Sequence, residues 1–113
     1  MNRGEIYRTA DATPERGDKP GFYVVVSRQF VADNEDIPTV VCAPIYGRIL
    51  GVTTEVAVGV EDGLPRDCAI RTDFLCLMFK GRLSRFVSRL GAARTAQLDR
   101  ALADALDLHF AGP

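Results

Sequence analysis

Arg71 and Asp73 are the two side chains whose types and spacing most directly suggest chemistry. They interrupt an otherwise apolar run from Cys68 to Phe79, and residues two positions apart lie on one face of a β-strand. A guanidinium can hold a phosphate through two parallel hydrogen bonds, and a carboxylate whose pKa is raised by burial can accept a proton. The pair suggests a phosphate site, and the same spacing is also typical of a structural ion pair.

A second group of polar residues follows the most apolar strand of the sequence. The run Thr39–Ala43 is rich in β-branched residues, which indicates a buried strand, and Tyr46, Gly47 and Arg48 come where the chain leaves the core. Tyr46 can donate a hydrogen bond to a phosphate or stack on an RNA base, or it can simply lie at the rim of a barrel. Arg48 is a candidate phosphate contact.

The remaining candidate residues lie near the N-terminus. The polar stretch Thr9–Pro20 has the composition of a loop and carries the cations Arg16 and Lys19, while Glu5 belongs to a short strand before it. An ammonium can titrate when it is desolvated or set beside other cations, so Lys19 is a candidate acid or base. The single histidine, His109, has no identifiable triad partner.

Length and composition predict one globular domain over residues 1–113. No apolar run approaches the roughly 20 residues that span a bilayer, and the start lacks a signal peptide, so we expect a cytoplasmic protein without a membrane partner. The three cysteines show neither a CxxC nor a Cys/His pattern, and we expect reduced, buried thiols. Because no carboxylates or histidines have ligand spacing, we expect neither a metal nor a cofactor. The clustered cations Lys80, Arg82, Arg85 and Arg89 suit either phosphates or a solvated face.

Hydrophobic periodicity predicts a mostly β (β+α) domain, a small barrel capped by a C-terminal helix. Val56, Val58 and Val60 are expected on one side of their strand. A helical turn is expected over Arg28–Asp33 and a terminal amphipathic helix over Ala92–Leu108. The predicted strands are Arg3–Arg8, Phe22–Ser27, Thr39–Ala43, Val52–Val60 and Cys68–Phe79.

Five short motifs occur in an order and spacing that chance does not readily explain. They are Arg3-Gly-Glu-Ile-Tyr, Lys19-Pro20 before Tyr-Val-Val-Val-Ser27, Pro38-Thr-Val-Val-Cys-Ala-Pro-Ile, Gly63-Leu-Pro-Arg-Asp-Cys, and Leu90-Gly with Leu98-Asp-Arg-Ala-Leu. Together they resemble the MazF/PemK/Kid family of toxins from bacterial toxin–antitoxin pairs. The resemblance implies an SH3-like, CcdB/Kid-like barrel, a homodimer, metal-independent cleavage of single-stranded mRNA, and inhibition by a cognate antitoxin with an acidic C-terminal segment.

The resemblance also implies which residues act. It assigns catalysis to Glu5, Lys19, Arg71 and Asp73, and we add Arg16, Tyr46 and Arg48 as candidate substrate contacts. This sequence departs from the family pattern in several respects, and two of them bear on the site. Lys19 replaces the arginine of the family's Arg-Pro pair, and Tyr46-Gly47 stands where members often carry Thr-Ser.

Two functions of different class fit this pattern. The first is an endoribonuclease toxin that inhibits growth by attack of an RNA 2′-hydroxyl on its own phosphate. The second is a non-enzymatic binding protein on the same barrel, either a catalytically decayed relative or a CcdB-like topoisomerase poison. CcdB-type proteins resemble one another at a C-terminal tryptophan, and this sequence has no tryptophan, which disfavours the topoisomerase poison. Tyr46 and Gly47 leave the decayed relative open.

Overall fold

The computed structural model describes residues 1–10 and 20–109, and it shows an antiparallel sheet with two α-helices. Short 3-10 turns occupy Val60–Asp62, Thr72–Phe74 and Lys80–Arg82. The helices are α1 (Gln29–Asp33) and α2 (Ala92–Ala105). The strands are β1 (Glu5–Arg8), β2 (Phe22–Val25), β3 (Thr39–Tyr46), β4 (Glu55–Val58), β5 (Cys68–Arg71), β6 (Cys76–Phe79) and β7 (Arg85–Arg89).

Strand β3 is the centre of the sheet. The strand order is β4-β5-β3-β2-β1-β7, with β6 paired to β3 outside this path. Strand β3 pairs with β2 along one edge. Along its opposite edge it pairs first with β6, from Thr39 to Cys42, and then with β5, at Ile45 and Tyr46. One eight-residue strand therefore aligns two shorter ones. The prediction of a mostly β domain with a C-terminal helix is confirmed, and the predicted small barrel takes the form of a half-barrel.

The sheet has an apolar core on each face. Helix α2 covers one face, where Leu98 and Ala101 pack against strand residues such as Ile6, Val24 and Ile70. This arrangement follows from the i, i+3 spacing of the helix's apolar side chains. The opposite face holds a second cluster built on Tyr23, Val25, Ala32, Val40, Cys42, Met78 and Leu83. Ile6 is fully buried, as its place in the first predicted strand requires.

The predicted strand over Cys68–Phe79 is wrong, because the chain turns at Thr72–Phe74 and forms β5 and β6 instead. Buried Thr72 stabilises this turn: its hydroxyl donates to the carbonyl of Thr54 at 2.6 Å and lies 3.2 Å from that of Ala101. A threonine that hydrogen-bonds backbone carbonyls on two other segments fits a turn better than a continuous strand.

Three smaller predictions also need correction. Strand β7 was not predicted, and α2 ends at Ala105 rather than Leu108. Val60 is 69% exposed and lies in a 3-10 turn rather than beside Val56 and Val58. The predicted helical turn is confirmed as α1. All three cysteines are free thiols; Cys42 and Cys68 are buried as expected, whereas Cys76 is only half-buried. No helix in residues 1–10 and 20–109 has the length and apolarity to span a bilayer.

Candidate active site

Arg71 lies at the end of β5, held between a carboxylate and an aromatic ring. Glu55 is its register partner on β4, and Glu55 Oε2 lies 3.7 Å from Arg71 Nη1. The two side chains are 3% and 12% exposed, respectively. The centre of the guanidinium lies 4.8 Å from the centroid of the Phe74 ring, within the range of a cation–π contact. These contacts fix the position of a largely buried cation.

Glu55 was not among the candidates from the sequence, yet it organises this corner. Its carboxylate accepts hydrogen bonds from the backbone N–H groups of Leu50, Gly51 and Val52, at 3.0, 2.7 and 3.2 Å. Burial alone disfavours the charged carboxylate, but these bonds and the charge of Arg71 outweigh it and lower the pKa of Glu55. Glu55 is therefore an anion that connects the loop after β3 to Arg71.

Asp73 lies in the 3-10 turn that follows Arg71 and is exposed to solvent. The Thr54 hydroxyl donates a hydrogen bond to Asp73 Oδ2. The expectation that Arg71 and Asp73 share one strand face is wrong because the strand ends between them. The same turn returns Phe74 against the Arg71 guanidinium. Arg71 Nε is buried and has no hydrogen-bond partner within the described parts of the chain.

Tyr46 is joined to this group through Phe74. The two rings meet edge to face, with centroids 6.1 Å apart and an interplanar angle of 85°. Phe74 is thus in contact with both the Arg71 guanidinium and the Tyr46 ring. Tyr46 also lines a cleft with Pro44, Phe74, Cys76 and Leu77. Arg48 lies two residues farther along the chain, in the exposed loop.

Glu5 lies apart from this group. It belongs to β1, and β2 and β3 separate β1 from β5. Its carboxylate accepts hydrogen bonds from the Asn2 N–H and, at 3.0 Å, from the Tyr7 hydroxyl. Burial alone raises the pKa of Glu5, but these hydrogen bonds outweigh it and lower the pKa. Burial and the neighbouring Glu5 carboxylate raise the pKa of Tyr7 to about 12. This lowered pKa does not favour Glu5 as a general base.

Lys19 and Arg16 lie outside the described residues. Pro20, which follows Lys19 in the sequence, lines a cleft together with Tyr46, Gly47 and Arg66. The structure thus brings together Arg71, Asp73 and Tyr46 from the predicted set. Among residues 1–10 and 20–109, no three His, Cys, Asp or Glu side chains are grouped as metal ligands.

The fold and this site define a small antiparallel half-barrel with a buried arginine and an exposed carboxylate at one strand end. The family described as "PemK-like, MazF-like toxin of type II toxin-antitoxin system" matches residues 2–106. The chain belongs to this family.

Individual relatives agree with this assignment. The chain is 30% identical to "Endoribonuclease MazF" from Staphylococcus saprophyticus, over 96% of this chain and 93% of that protein. A mycobacterial endoribonuclease solved in complex with its cognate antitoxin has a TM-score of 0.81 at 24% identity, covering 98% of this chain and 99% of that one. The Mycobacterium tuberculosis toxin MazF-mt6 has a TM-score of 0.78 at 23% identity, covering 92% and 99%. At these identities the solved structures establish the shared fold.

Proposed function

We propose that this chain is the endoribonuclease toxin of a toxin–antitoxin pair and that it cleaves single-stranded mRNA in the cytoplasm without a divalent ion. Its membership of the toxin family and the relative named as an endoribonuclease support the proposal. The observation that carries it is the Arg71 side chain, which Glu55 and Phe74 hold in place and which is still 12% exposed. The exposed part of a guanidinium held in this way can donate to a phosphate oxygen, an acceptor that a guanidinium binds well.

The proposed reaction is an internal transfer. A general base takes the proton of the 2′-hydroxyl, the oxygen attacks the adjacent phosphate, and the 5′-oxygen leaves with a proton from a general acid. Arg71 stabilises the negative charge that develops on the phosphate oxygens. Asp73 is the better candidate of the two bases, because it is exposed in the turn that directly follows Arg71, whereas Glu5 lies on β1 with a lowered pKa.

The other predicted residues take supporting roles in this proposal. Lys19 supplies a positive charge or acts as the general acid. Tyr46, whose ring contacts Phe74, stacks on a base or donates to phosphate. Arg16 and Arg48 contact the RNA backbone. Glu5 orders the N-terminal strand through its bonds with Asn2 and Tyr7, and a direct role for it in cleavage is tested by Glu5→Gln.

Cleavage of a labelled single-stranded RNA in EDTA tests this function. Arg71→Ala and Asp73→Ala should each lower the cleavage rate by at least about a hundredfold, the lower end of what one charge-stabilising or acid–base group contributes. Arg100→Ala is the matched control, because Arg100 is exposed on α2. This variant should cleave RNA at the rate of the unmodified protein. Growth inhibition that persists in a folded Arg71→Ala, Asp73→Ala double variant would instead favour the non-enzymatic binding protein.

We further propose that two copies of the chain associate through the β6 face. Exposed apolar side chains gather in and around β6: Phe74, Leu77 and Phe79 are 51%, 69% and 62% exposed. Contiguous exposed apolar side chains mark interaction surfaces in soluble domains, and a two-fold axis lets one such surface bind itself. Because Phe74 also contacts Arg71, this association would place the partner copy beside the site.

Light scattering at micromolar concentration tests the dimer. Leu77→Asp should shift the protein toward monomer, and Val60→Asp is the matched control because Val60 is also 69% exposed but lies in the turn after β4. A monomeric unmodified protein would contradict the proposal.

We propose that the cognate antitoxin binds this toxin with an acidic, partly disordered segment. The support is that one related endoribonuclease was solved with its cognate antitoxin and that carboxylates complement a site built on Arg71. The neighbouring reading frame should encode a small DNA-binding protein with an acidic tail. Its co-purification with the toxin should be lost in high salt if charge dominates the contact.

A further inference from the structure

Two adjoining clefts lead from Tyr46 across the sheet to its β1–β7 edge. The first is lined by Tyr46, Gly47 and Arg66, and the second by Arg8, Arg85 and Phe86. Both are also lined by Phe22 and Pro65. The two clefts therefore adjoin at these two residues, and together we call them the Arg8–Arg85 groove.

The strand register places two like charges directly opposite each other in this groove. Arg8 of β1 is paired with Arg85 of β7, and like charges at facing positions destabilise an antiparallel pair. The guanidinium of Arg8 lies 5.6 Å from the centroid of the Phe22 ring. The groove therefore sets a cation beside an aromatic ring, and the Tyr46 side chain lines its other end.

Two carboxylates that precede the groove's Leu64 in the sequence pair with a cation outside the groove. Glu61 and Asp62 both pair with Arg94 of α2, at 3.0 and 3.2 Å. Within residues 1–10 and 20–109, no carboxylate lies at ion-pair distance from Arg8, Arg66 or Arg85. The three guanidinium groups thus present positive charge that this part of the protein does not neutralise.

We propose that the Arg8–Arg85 groove binds the single-stranded RNA that flanks the cleaved phosphate. Proteins hold single strands through cations along the backbone and aromatic rings on which bases stack, and both are present here. The register row Ile45, Phe22, Arg8, Arg85 crosses three strand spacings, roughly 14 Å. The groove begins at Tyr46, so it extends the site at which cleavage is proposed. The inference rests on that proposed function for the identity of the strand.

Binding of RNA that cannot be cleaved tests the groove separately from catalysis. The probe is a fluorescein-labelled 2′-O-methyl RNA of about 20 nucleotides, longer than a typical single-strand site, which lacks the attacking hydroxyl. Fluorescence anisotropy gives Kd as a function of salt concentration. Each phosphate contact to a single strand contributes about 0.7 to the slope of log K against log salt. The Arg8→Ala, Arg85→Ala variant should therefore lower the slope by about 1.4 and weaken binding roughly 25-fold near 0.1 M salt.

Two further variants keep the result interpretable. Arg100→Ala, an exposed arginine on α2, should bind like the unmodified protein. Arg8→Lys, Arg85→Lys keeps both charges and should keep the slope. The inference is overturned if the alanine variant keeps the original slope and affinity, or if the lysine variant loses as much slope as the alanine variant. A protein that binds with the expected slopes but cleaves no RNA supports the groove and contradicts the nuclease.

Discussion

Removing the Glu55 carboxylate should destabilise the protein by about 3 kcal/mol at neutral pH. At the 3.7 Å that separates Glu55 Oε2 from Arg71 Nη1, an effective dielectric constant near 20 gives an attraction of about 4 kcal/mol before desolvation. Losing one partner of a buried pair costs about 3–5 kcal/mol. We take the lower end because the amides of residues 50–52, which lose their acceptor, lie in an exposed loop and can bond water.

The pH dependence gives this prediction its sign. The pKa of Glu55 is lowered in the folded protein, so its contribution is complete above the ordinary pKa of about 4.3 in the unfolded chain. That contribution is lost as the pH falls through the lowered folded-state pKa. Glu55→Ala should therefore differ most from the unmodified protein at neutral pH, and the difference should shrink in acid. The pKa of Glu5 is also lowered. Because Glu5 is present in both proteins, it gives them the same loss of stability in acid, which cancels in the comparison.

Urea unfolding followed by circular dichroism at several pH values measures the effect. Glu35→Ala is the matched control, since Glu35 is exposed and has no ion pair within the described residues, and it should change the free energy of unfolding by less than about 0.5 kcal/mol. The reasoning would be refuted if Glu55→Ala matched this control at pH 7, or if its deficit stayed constant down to acid pH. Because Glu55 positions Arg71, the variant should also cleave RNA more slowly while its Kd for 2′-O-methyl RNA changes little.

Three further predictions concern the backbone, the core and the chemistry. Gly63→Ala should lower the thermal unfolding temperature more than Gly51→Ala does. Both glycines have a positive φ, of 88° and 79°, but a Cβ at Gly63 would lie 2.6 Å from Ser88 Cβ, whereas Gly51 faces open space. Equal losses in the two variants would contradict this. Leu98→Ala, at a fully buried position of α2, should lose about 2–5 kcal/mol, and a loss below 1 kcal/mol would show that the helix is not anchored there. Lys19→Arg should remain active if Lys19 only supplies charge, whereas a titrating Lys19 predicts loss of most of the rate and a flatter alkaline side of the pH profile.

The sequence was sufficient where a single local pattern decides the outcome. Alternation placed Ile6 inside β1, and the i, i+3 stripe placed Leu98 against the sheet. It was insufficient where a tertiary contact overrides the local pattern. Nearly every residue type in the apolar run Cys68–Phe79 is compatible with a single strand. The turn that separates β5 from β6 depends on the hydrogen bonds from Thr72 to carbonyls on other segments.

The candidate site shows the same division. Arg71 and Asp73 could be named from the sequence because their polarity interrupts an apolar run. Glu55 could not, because its role depends on the β4–β5 register that sets it opposite Arg71 and on a loop that turns three N–H groups toward one carboxylate. A residue whose partners are backbone amides and a side chain 16 positions away leaves no short motif.

Pairing of β1 with β7 also affects the order in which the nascent chain can fold. The two strands join residues about 80 positions apart, and such non-local contacts form slowly. At synthesis rates of about 5–20 residues per second, β1 waits roughly 4–16 s for its partner to be made. During this interval its free edge is a template for association with other chains. The four-residue length of β1 and the charge of Arg8 limit that hazard, so the arginine that we propose as an RNA contact also protects the nascent chain from association.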